Sequence, residues 1–259
     1  MEIKPIKTPL FEPGMSIPEV ILNCLEREQI KLQEGDILVI ASKILATTEG
    51  RSVSLKEINP SEKAYKLAKR TEQDPRFVQL VLDNSEMILG EVLGAILTYA
   101  SEIIQANAGI DRSNAGLESA ILLPINTKKS AQKIRMELEK QGQIRLGIII
   151  SDSKTNPLRR GTTGFALAIS GFEPIRDDRG RQDLYGYEMK VTFRALADNL
   201  ACAAQVVMGE SNEQTPVVLI RNAPISLTSK DHSTEMFIEP ENCLYSSLLP
   251  MVIDKEKKQ

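Results

Sequence analysis

Histidine is almost missing from this sequence: His232 stands alone among 259 residues, and there is no tryptophan at all. A single imidazole excludes the HExxH arrangement of zinc proteases and any three-histidine zinc centre. A Ser/His/Asp triad would have to be built on His232. Cysteine is scarce too. Cys24, Cys202 and Cys243 are odd in number, far apart and free of any CxxC spacing. That argues against structural disulfides and a zinc knuckle, and it suits a reducing cytoplasm. No apolar run approaches the roughly 18–20 residues of a membrane span. The amino-terminal MEIKPIKTPLFEPG is polar and broken by proline, unlike a secretory leader. The expected location is therefore the cytoplasm, with no membrane partner. A net charge of −3 argues against nucleic acid as a partner. Any chemistry falls to carboxylates, amides and basic groups.

What is present is an ordinary globular mixture, 42% hydrophobic and 26% charged, long enough for one large domain or two interlocked small ones. Ser16-Ile17-Pro18-Glu19 reads as a capping box, followed by an apolar stripe of Val20, Ile21, Cys24 and Leu25. Gly35-Asp36 turns into a short buried strand, ILVIAS. A helix from Ser61 to about Gln73 restarts at Asp74-Pro75, where Asp74 caps and Pro75 takes the first position. Periodicity does not decide between strand and helix over 87–106. Ser130 to Gln141 predicts a charged amphipathic helix, Ile144 to Ser151 a buried strand, Arg194 to Met208 a helix and Pro216 to Arg221 a strand. No low-complexity linker divides the chain, so the expected class is α+β.

Three acidic residues stand where predicted elements run out into polar loops. Asp111 follows IIQANAGI, Asp152 follows IRLGIIIS, and Glu210 follows a helix and Gly209. A carboxylate just past a buried strand is rigidly held and reaches solvent, as magnesium or manganese requires. Ser153 and Asn114 add neutral oxygens nearby. The alternative is that the aspartates are turn or cap residues, which Asp favours. A second feature is Arg159-Arg160-Gly161, then Arg176, then Arg179-Gly180-Arg181. Guanidinium forks could receive a polyanionic substrate, or could pair with Asp177, Asp178 and Asp183 beside them. Neither GxxxxGK[ST] nor GxGxxG occurs, so a P-loop or Rossmann nucleotide site is unsupported.

The segments ILVIASKILATTEGR, NAGIDRSN, LLP, GIIISDS, PLRRG, GFALAISGFEPIRDDRGRQDLYG, and MGE followed by PVVLIR occur in an order that resembles the coenzyme F420-0:gamma-glutamyl ligases, the CofE family. The resemblance runs from about Thr8 to Arg221. It implies a CofE-like fold of mixed sheets with flanking helices, in an intertwined homodimer. Residues 1–250 would form the ligase domain, with or without two interlocked subdomains, and 251–259 a charged tail. It also implies a GTP-dependent ligase that adds L-glutamate to coenzyme F420-0, first as an amide and then through the gamma-carboxylate, by way of an acyl phosphate. Such chemistry needs no histidine base.

By motif, Asp111 and Asp152 look like catalytic metal ligands, joined by Ser153 and Glu210, for Mg2+ or Mn2+ at two sites, with K+ a further ion. Thr8, Pro9, Leu10, Phe11, Ser42, Lys43 and Asn114 resemble nucleotide contacts. So does the loop of Met208, Gly209, Glu210, Ser211, Asn212, Glu213, Gln214 and Thr215. Thr47 replaces a family lysine, Ser153-Lys154-Thr155-Asn156 lacks a glycine and an arginine, and Gly186-Tyr187-Glu188-Met189 lacks another arginine. Alternatives are a sister ligase with a different carboxylate acceptor or amino acid, and a non-catalytic anion-binding homolog.

Overall fold

The computed structural model describes residues 1–245, and the expected charged tail lies outside them. In chain order the elements are β1 (Glu2–Ile6), α1 (Ile17–Arg27), β2 (Ile37–Ala41), α2 (Ser42–Thr48), β3 (Ser52–Ser54), α3 (Glu62–Thr71) and α4 (Pro75–Asp83). Next come β4 (Met87–Val92), β5 (Ala95–Ala100), β6 (Ile103–Ala106), β7 (Ser119–Ile121), α5 (Thr127–Gly142), β8 (Gly147–Thr155) and β9 (Thr162–Ser170). The last are β10 (Ile175–Asp177), β11 (Phe193–Ala195), α6 (Leu196–Met208) and β12 (Val217–Arg221). The mixture of helices and several sheets agrees with the expected class. No described helix is long and apolar enough to cross a membrane.

The contacts divide the chain into two compact units. The first, 1–50 with 124–153 and 161–237, holds a five-stranded sheet in the order β1-β12-β2-β8-β9. Among β1, β12, β2 and β8, the β2–β8 pair is parallel and the others are antiparallel. Alternation along the strands explains why both faces are covered. Leu38, Ile40, Ile148 and Ile150 pack with Ile21 and Leu25 of α1 and Ile134 and Leu138 of α5. Ile37, Val39 and Ile149 pack instead with Leu200, Ala201 and Ala204 of α6. An apolar run is thus required in each central strand, and ILVIA and GIII supply it. Gly164 lets α6 lie close to β9, since a Cβ there would meet the backbone carbonyl of Ala201.

The second unit, 51–123 with 154–160 and 238–245 of the described residues, packs α3 and α4 through Leu67, Phe77, Val78 and Val81 against Ile96, Ala100 and Ala120. The caps are those the sequence signals: Ser16, Ser61 and Asp74 accept from Glu19, Ala64 and Arg76 N–H respectively. The undecided stretch 87–106 is three antiparallel strands, β4-β5-β6. Ser101 and Glu102 turn the second hairpin with φ of 52° and 62°, a double left-handed turn made without glycine.

Three boundaries differ from expectation. β8 starts at Gly147 and runs on through Asp152 to Thr155, because β9, also nine residues long, continues beside it after β2 has ended at the level of Ser151. Asp152 is therefore inside the strand and not beyond it. Helix α6 begins at Leu196, since Arg194 is drawn into β11 opposite Arg176 of β10. Helix α5 begins at Thr127 because Asn126 caps it, accepting from Lys129 N–H at 2.9 Å.

Candidate active site

One edge of the five-stranded sheet gathers most of the expected first-unit residues. Ile6 pairs with Val217, Val217 with Ile40, and Ile40 with Ile150, so these four form a row across the sheet. Thr8, Thr215, Ser42 and Asp152 each lie two residues past that row. The backbone ties them together: Ala41 N–H donates to Pro216 C=O at 2.9 Å, and Thr8 N–H to Gln214 C=O at 3.1 Å. Thr8 is buried, Phe11 packs on the α1 side of the core, and Pro9 and Leu10 are exposed.

The centre of this edge is a contact between neighbouring parallel strands. The buried Ser42 hydroxyl donates to Asp152 Oδ2 at 3.0 Å, and Ser153 N–H donates to Asp152 Oδ1 at 2.7 Å. The carboxylate is half-buried and held by two donors, which fixes its direction. Lys43, half-buried, follows Ser42 in the first turn of α2. Thr47 donates its hydroxyl to Lys43 C=O at 2.8 Å.

The loop 208–215 is shaped from within. Gly209 has φ 74° and ψ −179°, a backbone region essentially restricted to glycine. Any Cβ there would collide with the Glu213 carboxylate. That carboxylate accepts Ser211 N–H at 2.8 Å, and Thr215 Oγ1 donates to Met208 C=O at 2.9 Å, closing the loop onto the end of α6. Glu210 accepts from Gln205 Nε2 and, at 3.4 Å, from Thr162 Oγ1 of β9. Asn212 and Gln214 are exposed. The sequence singled out neither Gln205 nor Thr162, whose only signal was the β-branched Thr162-Thr163 opening a strand.

Asp111 and Asn114 belong to the second unit. Asp111 follows a single helical turn, Asn107–Gly109, and its backbone exchanges two hydrogen bonds with Ile121, at 3.1 and 2.8 Å. Its carboxylate accepts Ser113 N–H at 2.7 Å and the Ser113 hydroxyl at 2.8 Å. This is the turn geometry Asp favours. Asn114 is exposed with φ 54°. The four residues grouped as metal ligands thus fall on both units. Among the described residues, no group of three or more His, Cys, Asp or Glu is placed to hold a metal ion.

The arginine stretch resolves toward ion pairs. Asp178 is buried and accepts from Arg194 Nε at 2.5 Å and Arg181 Nη1 at 2.8 Å, with Arg176 Nε 3.4 Å away. Arg194 foremost, then Arg181, hold its carboxyl well below the ordinary range, at about 2. Arg179 forks onto Asp177 and stacks on Phe193. Asp183 does not pair with an arginine but accepts the Tyr185 and Tyr187 N–H groups.

The sequence model of the family described as F420-0:gamma-glutamyl ligase matches residues 5–222. The chain is 39% identical over 228 residues to a coenzyme F420:L-glutamate ligase of Methanocaldococcus jannaschii, covering 87% of this chain and 89% of that one. A protein of the same name from Methanopyrus kandleri is 40% identical over 210 residues, 81% of each chain. Another from Methanosarcina mazei is 39% identical over 238 residues, 91% of each. With its matched segment running from β1 through β12, the chain belongs to the F420-0:gamma-glutamyl ligase family.

Proposed function

We propose that this protein is a ligase that joins L-glutamate to coenzyme F420-0, first by an amide bond and then through the gamma-carboxylate, driven by GTP. The observation that carries the reading is the sheet edge itself. Ser42, Asp152, the 8–11 segment and the 208–215 loop converge there from three neighbouring strand regions and the end of α6. A free carboxylate and an amine do not condense in water without coupling to phosphoryl transfer. The acceptor carboxylate attacks the gamma-phosphorus, GDP leaves, and an acyl phosphate remains. The glutamate amine then attacks the acyl carbon, the C–O bond to phosphate breaks, and inorganic phosphate departs with the amide formed.

For this chemistry the chain's own residues position and orient. The 8–11 segment and the 208–215 loop receive the nucleotide, together with Ser42 and Lys43; Asn114, in the second unit, is assigned to the nucleotide on its motif alone. Ser42 holds Asp152 in one orientation. Magnesium or manganese, when bound, neutralises phosphate charge. The donor set is all hard oxygen, the chemistry that suits such an ion. We assign Asp152, Ser153 and Glu210 of the first unit to it; the assignment of Asp111, in the second unit, rests on its motif alone, and K+ is an additional ion to test.

A homodimer belongs to the same reading. The hairpin between β10 and β11 is internally braced by Gly180–Met189 and Asp183–Tyr187 backbone bonds, yet Leu184, Tyr185, Tyr187 and Val191 on it are exposed. A folded arm with exposed apolar side chains is suited to covering by a second copy. The cytoplasm suits three cysteines that form no disulfide among the described residues.

A sister ligase with another acceptor is the second reading, and Thr47 favours it. Its hydroxyl is committed to Lys43 C=O, so no cation stands where the family has a lysine. Incubation with F420-0, glutamate, Mn2+, K+ and GTP, with ATP in parallel, decides between them. Glutamylated F420 with GDP supports the first reading. Nucleotide turnover only with another acceptor supports the second, and no turnover or metal-dependent nucleotide binding leaves a non-catalytic homolog. Sedimentation reports the dimer.

A further inference from the structure

The five-stranded sheet has an opposite edge, and a small polar cavity sits there. Ser170 ends β9, whereas Thr162 begins it beside Glu210, so the two edges are about 26 Å apart at ~3.3 Å per residue. The chain after β12 is fastened over this far edge. Phe172 bridges Leu227, Glu173 N–H donates to Ser226 C=O at 3.1 Å, and Thr228 N–H to Gly171 C=O at 2.9 Å. The next residues, Ser229, Lys230, Asp231 and His232, then close a cavity of about 90 Å³ against Gln132 and Arg135 of α5 and Ser170.

Three observations describe what this cavity takes. First, Arg135 Nε is buried and has no hydrogen-bond partner among the described residues. The glycine at 171 admits the arginine, because a Cβ there would stand 2.7 Å from Arg135 Cδ. Second, the Ser170 and Ser229 hydroxyls and the Lys230 ammonium make no hydrogen bond or ion pair among the described residues. Third, the carboxylates around it already have partners. Asp231 is paired with Lys128 at 2.9 Å and accepts Ser233 N–H at 3.0 Å. Glu235 faces His232 Nδ1 at 2.7 Å, and Glu139 lies 3.4 Å from Arg135 Nη1. The cavity is thus lined by Arg135, Lys230 and two uncommitted hydroxyls, and the one carboxylate in its lining, Asp231, is already committed to Lys128 and Ser233.

Size narrows the ligand. About 90 Å³ corresponds to roughly three waters at ~30 Å³ each, far below the ~300 Å³ at which pockets for larger ligands begin. A nucleotide or a deazaflavin does not fit. A tetrahedral ion with four acceptor oxygens does, and guanidinium with hydroxyl donors is the chemistry that holds it.

We propose that this cavity is a second binding site, distinct from the sheet edge that carries Asp152, for one phosphate-type oxyanion held by the Arg135 guanidinium, the Ser170 and Ser229 hydroxyls and Lys230. It does not depend on the ligase reading. If that reading holds, the ion is of the class released at each turnover.

Equilibrium dialysis of the full chain against radiolabelled inorganic phosphate, without nucleotide or divalent metal, tests it. One phosphate per chain should bind saturably and be displaced by sulfate. Arg135→Gln should abolish binding, and Lys230→Ala should weaken it about tenfold, the effect of removing one charged hydrogen bond. Lys230 and Ser229 lie in an exposed loop, so Lys230→Ala and Ser229→Ala report on the cavity even if Arg135→Gln fails to fold. Ser42→Ala should leave binding unchanged. The proposal is overturned by an absence of saturable binding, or by loss in Ser42→Ala with none in Lys230→Ala and Ser229→Ala. Equal displacement by acetate would refute the tetrahedral assignment. Ligase turnover is measured separately, so the two readings fail independently.

Discussion

Replacing Asp152 by asparagine should separate folding from turnover. The carboxylate accepts one bond from the Ser42 hydroxyl at 3.0 Å and one from Ser153 N–H at 2.7 Å. An asparagine keeps the shape. Its oxygen can still accept Ser153 N–H, and its amide can donate to the Ser42 hydroxyl, which rotates to accept. The folding cost is then about 1 kcal/mol, the net value of one hydrogen bond. In a chain of this size that lowers Tm by ~2–4 °C. Turnover should respond quite differently, because the lost negative charge is the group meant to act on metal and phosphate. A fall of ~100-fold or more in GDP release is expected, on the scale of removing one preorganised electrostatic group. Ser42→Ala leaves the charge and removes only its orientation, so about 10–100-fold is expected there. The two residues touch, so the double variant should lose less than the product of the single losses. Initial rates with F420-0, glutamate and GTP, beside a thermal scan of each variant, supply both numbers. A rate in Asp152→Asn equal to that of the parent would refute the site assignment. A Tm loss large enough to explain the whole rate loss would do the same.

Other expectations concern the scaffold. Asp36, 1% exposed, receives both Arg221 Nε at 2.9 Å and Nη2 at 2.7 Å, joining the start of β2 to the end of β12. Breaking a buried pair costs about 3–5 kcal/mol, so Asp36→Asn should lower Tm by ~10 °C; a shift under two degrees would contradict the burial. Gly164→Ala places a methyl 2.7 Å from the Ala201 carbonyl carbon, and α6 must move. A loss of ~1–3 kcal/mol, read in urea melts, is expected from overpacking. The Asp178 cluster makes the β10–β11 arm acid-sensitive. Its folded pKa, about 2, lies below the ordinary carboxylate value, so its contribution is complete above about pH 4 and disappears as pH falls through about 2. Tyr185 and Tyr187 fluorescence, unmasked by tryptophan, should change in that window and not between pH 5 and 8.

The parts that were legible in the sequence are those where one local signal decides. Ser16 and Asp74 cap as read, and ILVIA and GIII form buried strands because both faces of the sheet are covered. The reading failed where partners decide. β8 runs past its apolar segment because β9 stays beside it, and Arg194 is strand because Arg176 lies opposite. The hairpin at Ser101-Glu102 has no glycine to announce it. At the candidate site, motif order pointed to Ser42 and Asp152 separately. That one donates to the other follows only from the parallel register Ala41–Ser151, which no spacing encodes. The arginine stretch was ambiguous for the opposite reason: the sequence names both partners, and only packing shows that Asp178 takes three guanidiniums.

The pairing of β1 with β12 has a consequence for synthesis. Glu2 finds its partner, Arg221, only near the end of the described chain, whereas α3, α4 and β3 to β7 all lie between Arg51 and Leu123. A ribosome therefore releases nearly everything the second unit needs before β8, β9 or β12 exists. Meanwhile β2, with its ILVIA run, waits without a neighbour on either side. Long-range pairing of this kind closes late and leaves an apolar strand uncovered in the interval. The edge that carries Ser42, Asp152 and the 208–215 loop stays incomplete until that loop emerges, long after Ser42 has been made.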